Sequence, residues 1–176
     1  MNTPAATARS RPTRAGLARL LAAGALALAC GAARADDEIG INFYGLSYHF
    51  DRDRAQALGV DNEANPGLGV RWKFAETGRW QFFADAGVFS DSGNHTAVIA
   101  GAGALWHVAG GFRIGAALAV MNSDTYNDGR TFIAPLPLVA WDLGPVTLNA
   151  TFFPKIERYN DVATLGLWVT LWPGRW

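Results

Sequence analysis

The 176-residue chain has one cysteine, two methionines and no net charge, and only 17% of its residues are charged. A lone Cys30 cannot close an intrachain disulfide, and no Cys/His cluster has the spacing of a structural zinc site, so disulfide frameworks and zinc modules are excluded. Fifteen Lys and Arg against fifteen Asp and Glu leave no basic excess to track a phosphate backbone, which removes nucleic acid as a partner. Also missing after residue 36 is any stretch approaching the roughly 20 apolar residues of a membrane helix. Yet half of the residues are hydrophobic and the mean hydropathy is +0.07, which is not the composition of a disordered chain. If such a chain crosses a membrane, it must do so with strands.

Acidic charge is absent from the first 35 residues, which hold Arg9, Arg11, Arg14, Arg19 and Arg34 and leave ten basic against fifteen acidic residues in the rest. The arginines precede an apolar run over 20–29, and Ala33-Arg34-Ala35 stands before Asp36-Asp37-Glu38. A basic start, a short apolar core and an A-x-A site make a secretory signal peptide, with cleavage expected after Ala35. Lipidation at Cys30 is the weaker reading, because Ala27-Leu28-Ala29 does not place Leu before two small residues. The expected organisation is a signal peptide over 1–35 and a single domain over 36–176.

What the second segment has in abundance is period-two alternation. From 67 to 74, Leu68, Val70, Trp72 and Phe74 alternate with Gly67, Gly69, Arg71 and Lys73. The same parity returns around 80–89, 112–120, 146–153 and 163–172, and three further segments lie at 42–50, 96–106 and 132–141. This predicts about eight strands of roughly nine to eleven residues, the length of a tilted transmembrane β-strand, where strands of soluble domains average five to six. A soluble sandwich or lipocalin-like barrel would carry Lys, Glu and Thr on its polar stripe. Here that stripe is mostly Gly, Ala, Thr, Asn and aromatics with a few charges, and the apolar stripe is nearly uncharged. The pattern predicts an all-β, eight-stranded antiparallel transmembrane β-barrel of the outer membrane, lipid outside and side chains inside, too narrow for an open pore. Trp72, Trp80, Trp106, Trp141 and Trp172 at strand ends are expected to form an interfacial girdle.

Linkers alternate long and short along the chain, which puts the termini and short turns on the periplasmic side and the long loops outside. His49 at the end of strand one and Ser90-Asp91-Ser92 at the end of strand three then share the external rim. His, Asp and Ser are the residue types of general base, orienting acid and nucleophile in acyl transfer. The same Ser and Asp residues also suit an ordinary hairpin loop.

Several stretches point further. Ser47-Tyr48-His49-Phe50, Asp61-Asn62-Glu63-Ala64-Asn65-Pro66-Gly67-Leu68-Gly69, Phe89-Ser90-Asp91-Ser92-Gly93-Asn94, Pro135-Leu136-Pro137-Leu138, Leu143-Gly144-Pro145-Val146-Thr147 and Phe153-Pro154 follow one another in order. In order and spacing they resemble the lipid A palmitoyltransferase (PagP) family, over residues 43–172. The resemblance implies an outer-membrane enzyme that moves a palmitoyl chain from a glycerophospholipid to lipid A of lipopolysaccharide, acting as a monomer with neither cofactor nor metal. It places the catalytic residues at His49, Asp91 and Ser92 and the floor of an acyl-chain ruler at Gly103. It also places lateral gates at Pro66, Pro135, Pro137 and Pro154, where a missing N–H interrupts the ladder.

The stripe Ala97, Ile99, Gly101 and Gly103 independently reads as an apolar slot without side chains at its bottom. The chain departs from the family in three places. Only 36–41 precede strand one where that family has an amphipathic helix, Tyr44 replaces a proline, and Pro173-Gly174-Arg175-Trp176 extend the last strand. His49 is expected as general base with Asp91 orienting or charging it, while Ser92 either polarises the donor carbonyl or serves as nucleophile. The alternatives are a lipid A deacylase or phospholipase, and a non-catalytic structural barrel.

Overall fold

The computed structural model describes residues 37–156 and 159–176. The expected signal peptide, its cleavage point and Cys30 lie outside the described residues. Eight strands run in chain order: β1 (Glu38–His49), β2 (Ala64–Thr77), β3 (Trp80–Ser90), β4 (Thr96–Ala109), β5 (Phe112–Asn122), β6 (Phe132–Asp142), β7 (Val146–Phe153) and β8 (Thr164–Leu171). Each pairs antiparallel with its neighbours, and β1 pairs with β8 to close the barrel. An 11-residue strand such as β3, at about 3.3 Å per residue and a tilt of about 40°, rises roughly 28 Å, close to the hydrocarbon thickness of a bilayer.

The two stripes separate as the alternation predicts. Leu68, Val70, Val88, Ile114, Leu118, Val120, Ile133, Val139 and Leu148 are exposed on the outside, a continuous apolar surface that only lipid would cover without cost. Trp80 and Trp106 meet edge to face at 4.9 Å near the short turns, Trp141 pairs with Phe112 beside the next turn, and Trp72 lies further along β2 opposite Ala84. Trp172 departs from the expected girdle: it is 1% exposed and turns inward, donating from Nε1 to Thr147 Oγ1 at 2.8 Å.

The turn-side half of the interior is filled by a polar network. Arg71, 1% exposed, donates from Nε and Nη2 to Asp85 at 2.9 and 2.6 Å and from Nη1 to Asn149 Oδ1 at 2.8 Å. Asn149, Thr170 and Asn42 continue the chain of bonds back to Asp85. Nearer the turns, Glu38 joins Lys73 and Arg175, and Asp142 accepts from Arg113. Against this network the Arg71 guanidinium lies 4.3 Å from the Phe83 ring centroid, and Phe83 packs with Leu105, Leu138 and Ala140. Among the described residues the apolar open space lies in the loop-side half of the barrel.

Candidate active site

Whether His49 points into the barrel is decided by one irregularity. In β1, Asn42 is buried and Tyr44 faces the interior, so strict alternation would turn His49 outward. A bulge between Tyr44 and Leu46, present in the pairing with both β2 and β8, shifts the register by one residue around Gly45. One extra residue flips every side chain beyond it. Ser47 and His49 therefore face inward, while Leu46, Tyr48 and Phe50 are exposed.

Ser92 reaches the same point from the other side. The residues after β3 form a tight turn around the Asp91 carboxylate, whose Oδ1 accepts from the backbone N–H of Gly93 and of His95, both at 2.9 Å. Its Oδ2 accepts from the Ser123 hydroxyl. The structure thus differs from the expected role of Asp91: its oxygens are occupied in shaping the turn, and it does not bond to His49. Instead, the turn presents Ser92 so that its Oγ lies 3.0 Å from His49 Nε2. Both side chains are buried, 2% exposed for His49 and 4% for Ser92.

The first long connection forms a roof over this pair. It contains a short helix, α1 (Arg52–Leu58), where the sequence reading expected only a loop. Asp51 caps its start by accepting from Arg54 N–H at 3.0 Å, and Gly59 ends it in the left-handed region at φ 67°. The segment after α1 is tied down by Asn62, whose N–H donates to Ser92 O and whose Nδ2 donates to Asp91 O, both at 3.1 Å. This brings in Glu63, which the sequence reading did not single out. Glu63 Oε1 lies 3.7 Å from His49 Nδ1 and accepts the His49 backbone N–H at 3.3 Å, and Arg52 holds the carboxylate with two bonds of 3.0 and 3.2 Å. The available signal was parity: Glu63 has the odd numbering of the inward residues Asn65, Gly67 and Arg71.

Below Ser92 is an apolar cavity with about 900 Å³ of empty space, including the part open at the rim. Ile99, Gly101, Ala117, Ala119, Met121, Leu136 and Leu138 make one wall, and Tyr44, Phe89 and Trp168 face them. Ser92 and Tyr126 stand at its mouth. The Tyr126 hydroxyl lies against Ser92, and its burial raises its pKa above the ordinary phenol value, so at neutral pH it is uncharged. The floor is not at Gly103. The Phe83 ring covers that glycine, where a Cβ would come within 2.7 Å of Phe83 Cζ and 2.5 Å of the Ala116 carbonyl, so the cavity stops at Phe83 and Gly101.

The prolines fall at two seams. β6 pairs with β7 only from Leu138↔Thr151 to Asp142↔Thr147. Residues 132–137, with the outward-facing Pro135 and Pro137, therefore have no ladder partner on that side, and Thr151 Oγ1 donates to the Pro137 carbonyl at 2.9 Å. Pro154 lies just past the end of β7, and Pro66 lies in β2 where the β1 bulge breaks the pairing. Among the described residues no group of three or more His, Cys, Asp or Glu side chains is placed to hold a metal ion.

No protein-family model matches the chain, and no curated protein sequence matches it. Among solved structures it is similar to the Yersinia pestis outer membrane protein Ail, solved in a phospholipid bilayer nanodisc. The TM-score is 0.50 at 10% identity, over 78% of this chain and 99% of that one. The likeness is one of fold. With the closed strand order and the apolar exterior, it makes this chain a closed eight-stranded antiparallel barrel of the outer-membrane kind. It carries nothing about the interior or the rim.

Proposed function

We propose that the protein is an outer-membrane acyltransferase that moves a palmitoyl-type chain from a glycerophospholipid to lipid A. The observation that carries this reading is the placement of a buried Ser92–His49 pair at the mouth of an apolar cavity closed at its far end. A straight hydrocarbon lowered into that cavity leaves its ester carbon at Ser92. The resemblance to the lipid A palmitoyltransferase family over residues 43–172 supports the same chemistry. In the reaction the donor ester bond breaks and an ester to an acceptor hydroxyl forms. His49 Nε2 takes the proton of the attacking hydroxyl and returns it to the oxygen of the departing lysophospholipid. The unpaired β6–β7 seam and the β1 bulge near Pro66 are the places where a lipid tail could pass sideways into the cavity. Burial of both reacting side chains beneath α1 and Asn62 excludes bulk water, which favours transfer to a bound hydroxyl over hydrolysis.

Expression in an outer membrane without such an activity, followed by mass spectrometry of lipid A, tests the reading. A gain of one acyl chain is expected; a loss of one would make the protein a deacylase, and an unchanged mass would leave a barrel without this catalysis. Chain selection has its own test. Replacing Ala117 with Leu adds three carbons at the cavity floor, so the longest accepted chain should lose about three buried methylenes. At about 0.8 kcal/mol each, the selectivity for that chain should fall by roughly 50-fold. Competition between phospholipid donors of different chain length measures it, and an unchanged preference would mean that the cavity does not hold the acyl group.

A further inference from the structure

The structure assigns to Glu63 the positioning of His49: its carboxylate, held by Arg52, orients the imidazole and stabilises its protonated form through Nδ1 while Nε2 works on Ser92. This inference rests on the acyl-transfer reading of the same site, and it moves the role expected of Asp91 to a different residue. The geometry supports it from both sides. Asp91 has both carboxylate oxygens occupied within its own turn. His49 Nδ1 is buried without a hydrogen-bond partner, an uncommon state for a polar atom. The Glu63 oxygen at 3.7 Å, Oε1, is already fixed by the His49 backbone N–H at 3.3 Å and by the Arg52 guanidinium at 3.2 Å. Catalytic hydrogen bonds that are long in an empty site commonly tighten when substrate is bound.

The titratable and charged groups around the ring come from several elements of the rim. Arg52, Asp53 and Asp61 belong to the roofing connection, Asp91 to the Ser92 turn and Tyr126 to the β5–β6 connection, while on the β8 side His49 pairs with the uncharged Thr164. Glu63 is the carboxylate placed against Nδ1. When Nε2 accepts the proton of a hydroxyl, Nδ1 must already carry its own, and a positive ring then faces that carboxylate. Opposite charges in such contact favour the charged form.

Glu63→Gln isolates this effect, because the amide oxygen can still accept the His49 backbone N–H while the charge is lost. Two readouts are needed on the refolded barrel in detergent: nitrogen NMR of labelled histidine rings, with His49 assigned from the spectrum of a His49→Asn variant, and the transfer rate. The His49 titration is expected to move to lower pH by about half to one unit. The rate is expected to fall on the order of 10²-fold through kcat with KM unchanged, less than the loss of a closely bonded triad carboxylate because the contact is 3.7 Å. An unchanged His49 titration with a rate within a factor of two of wild type would overturn the assignment. A wild-type protein that transfers no acyl chain, yet shows the titration shift on Glu63→Gln, would defeat the acyl-transfer reading and still support the Glu63–His49 coupling.

Discussion

Ser92→Ala and His49→Ala are each expected to lower acyl transfer by at least about 10³-fold, with the double variant no worse than either single one. Residues that act as one unit lose their whole contribution when either is removed, so their effects do not add. The 3.0 Å contact between Ser92 Oγ and His49 Nε2 makes the two such a unit if Ser92 is the nucleophile. If Ser92 only polarises the donor carbonyl, removing it deletes one hydrogen-bond donor worth roughly 10²-fold, and the double variant falls below both single ones. Single-turnover rates on a defined phospholipid distinguish the two roles, and a heat-modifiable band on a gel shows that each variant is a folded barrel. A double variant with full activity would remove both residues from the mechanism. The Asp91 turn survives in all three proteins, because its bonds to the Gly93 and His95 N–H groups involve neither side chain.

Arg71→Ala is expected to cost about 3–5 kcal/mol of barrel stability, the range for breaking a buried pair from one side. The guanidinium is nearly inaccessible, and its loss leaves Asp85 facing the interior with a weaker partner in Asn42 and orphans Asn149 Oδ1. It also removes the surface on which Phe83 rests, so the cavity floor should loosen as well as the plug. Urea-driven unfolding from lipid vesicles measures the first effect, and broadened acyl-chain preference measures the second. Combining Arg71→Met with Asp85→Asn removes both charges together and is expected to recover more than half of the lost stability. If the single variant is as stable as wild type, the plug does not hold the turn-side half of the barrel together.

Much of this architecture was legible along the chain. Alternation with a period of two is a local property of each strand, and it follows directly from which residues must meet lipid and which must meet the interior. The eight segments, the outward apolar stripe and the shared rim of His49 and Ser92 were accordingly visible from residue order and loop length. The short helix in the first connection left a readable cap pair in Asp51 and Gly59, yet its seven residues were too few to stand out against a polar loop.

Other features depended on neighbours far away in sequence. Whether Phe83 plugs the barrel or floors a cavity depends on Arg71 packed against its ring and Gly103 beside it on β4. Trp172 matched an interfacial aromatic by position, and only Thr147 on β7 draws it inside. The partner of Asp91 proved to be its own turn and Ser123, while the carboxylate near His49 came from beyond α1.

By itself, then, the sequence determined a closed barrel of eight long strands and the end of it at which His49 and Ser92 lie, because strand period and connection length act residue by residue. The face of β1 that His49 occupies, the carboxylate that meets it and the depth of the cavity were decided only by the tertiary structure. A single bulge at Gly45 inverts the inward side of a strand without changing its alternation, and contacts across a barrel join residues whose separation in sequence carries no trace of their distance in space.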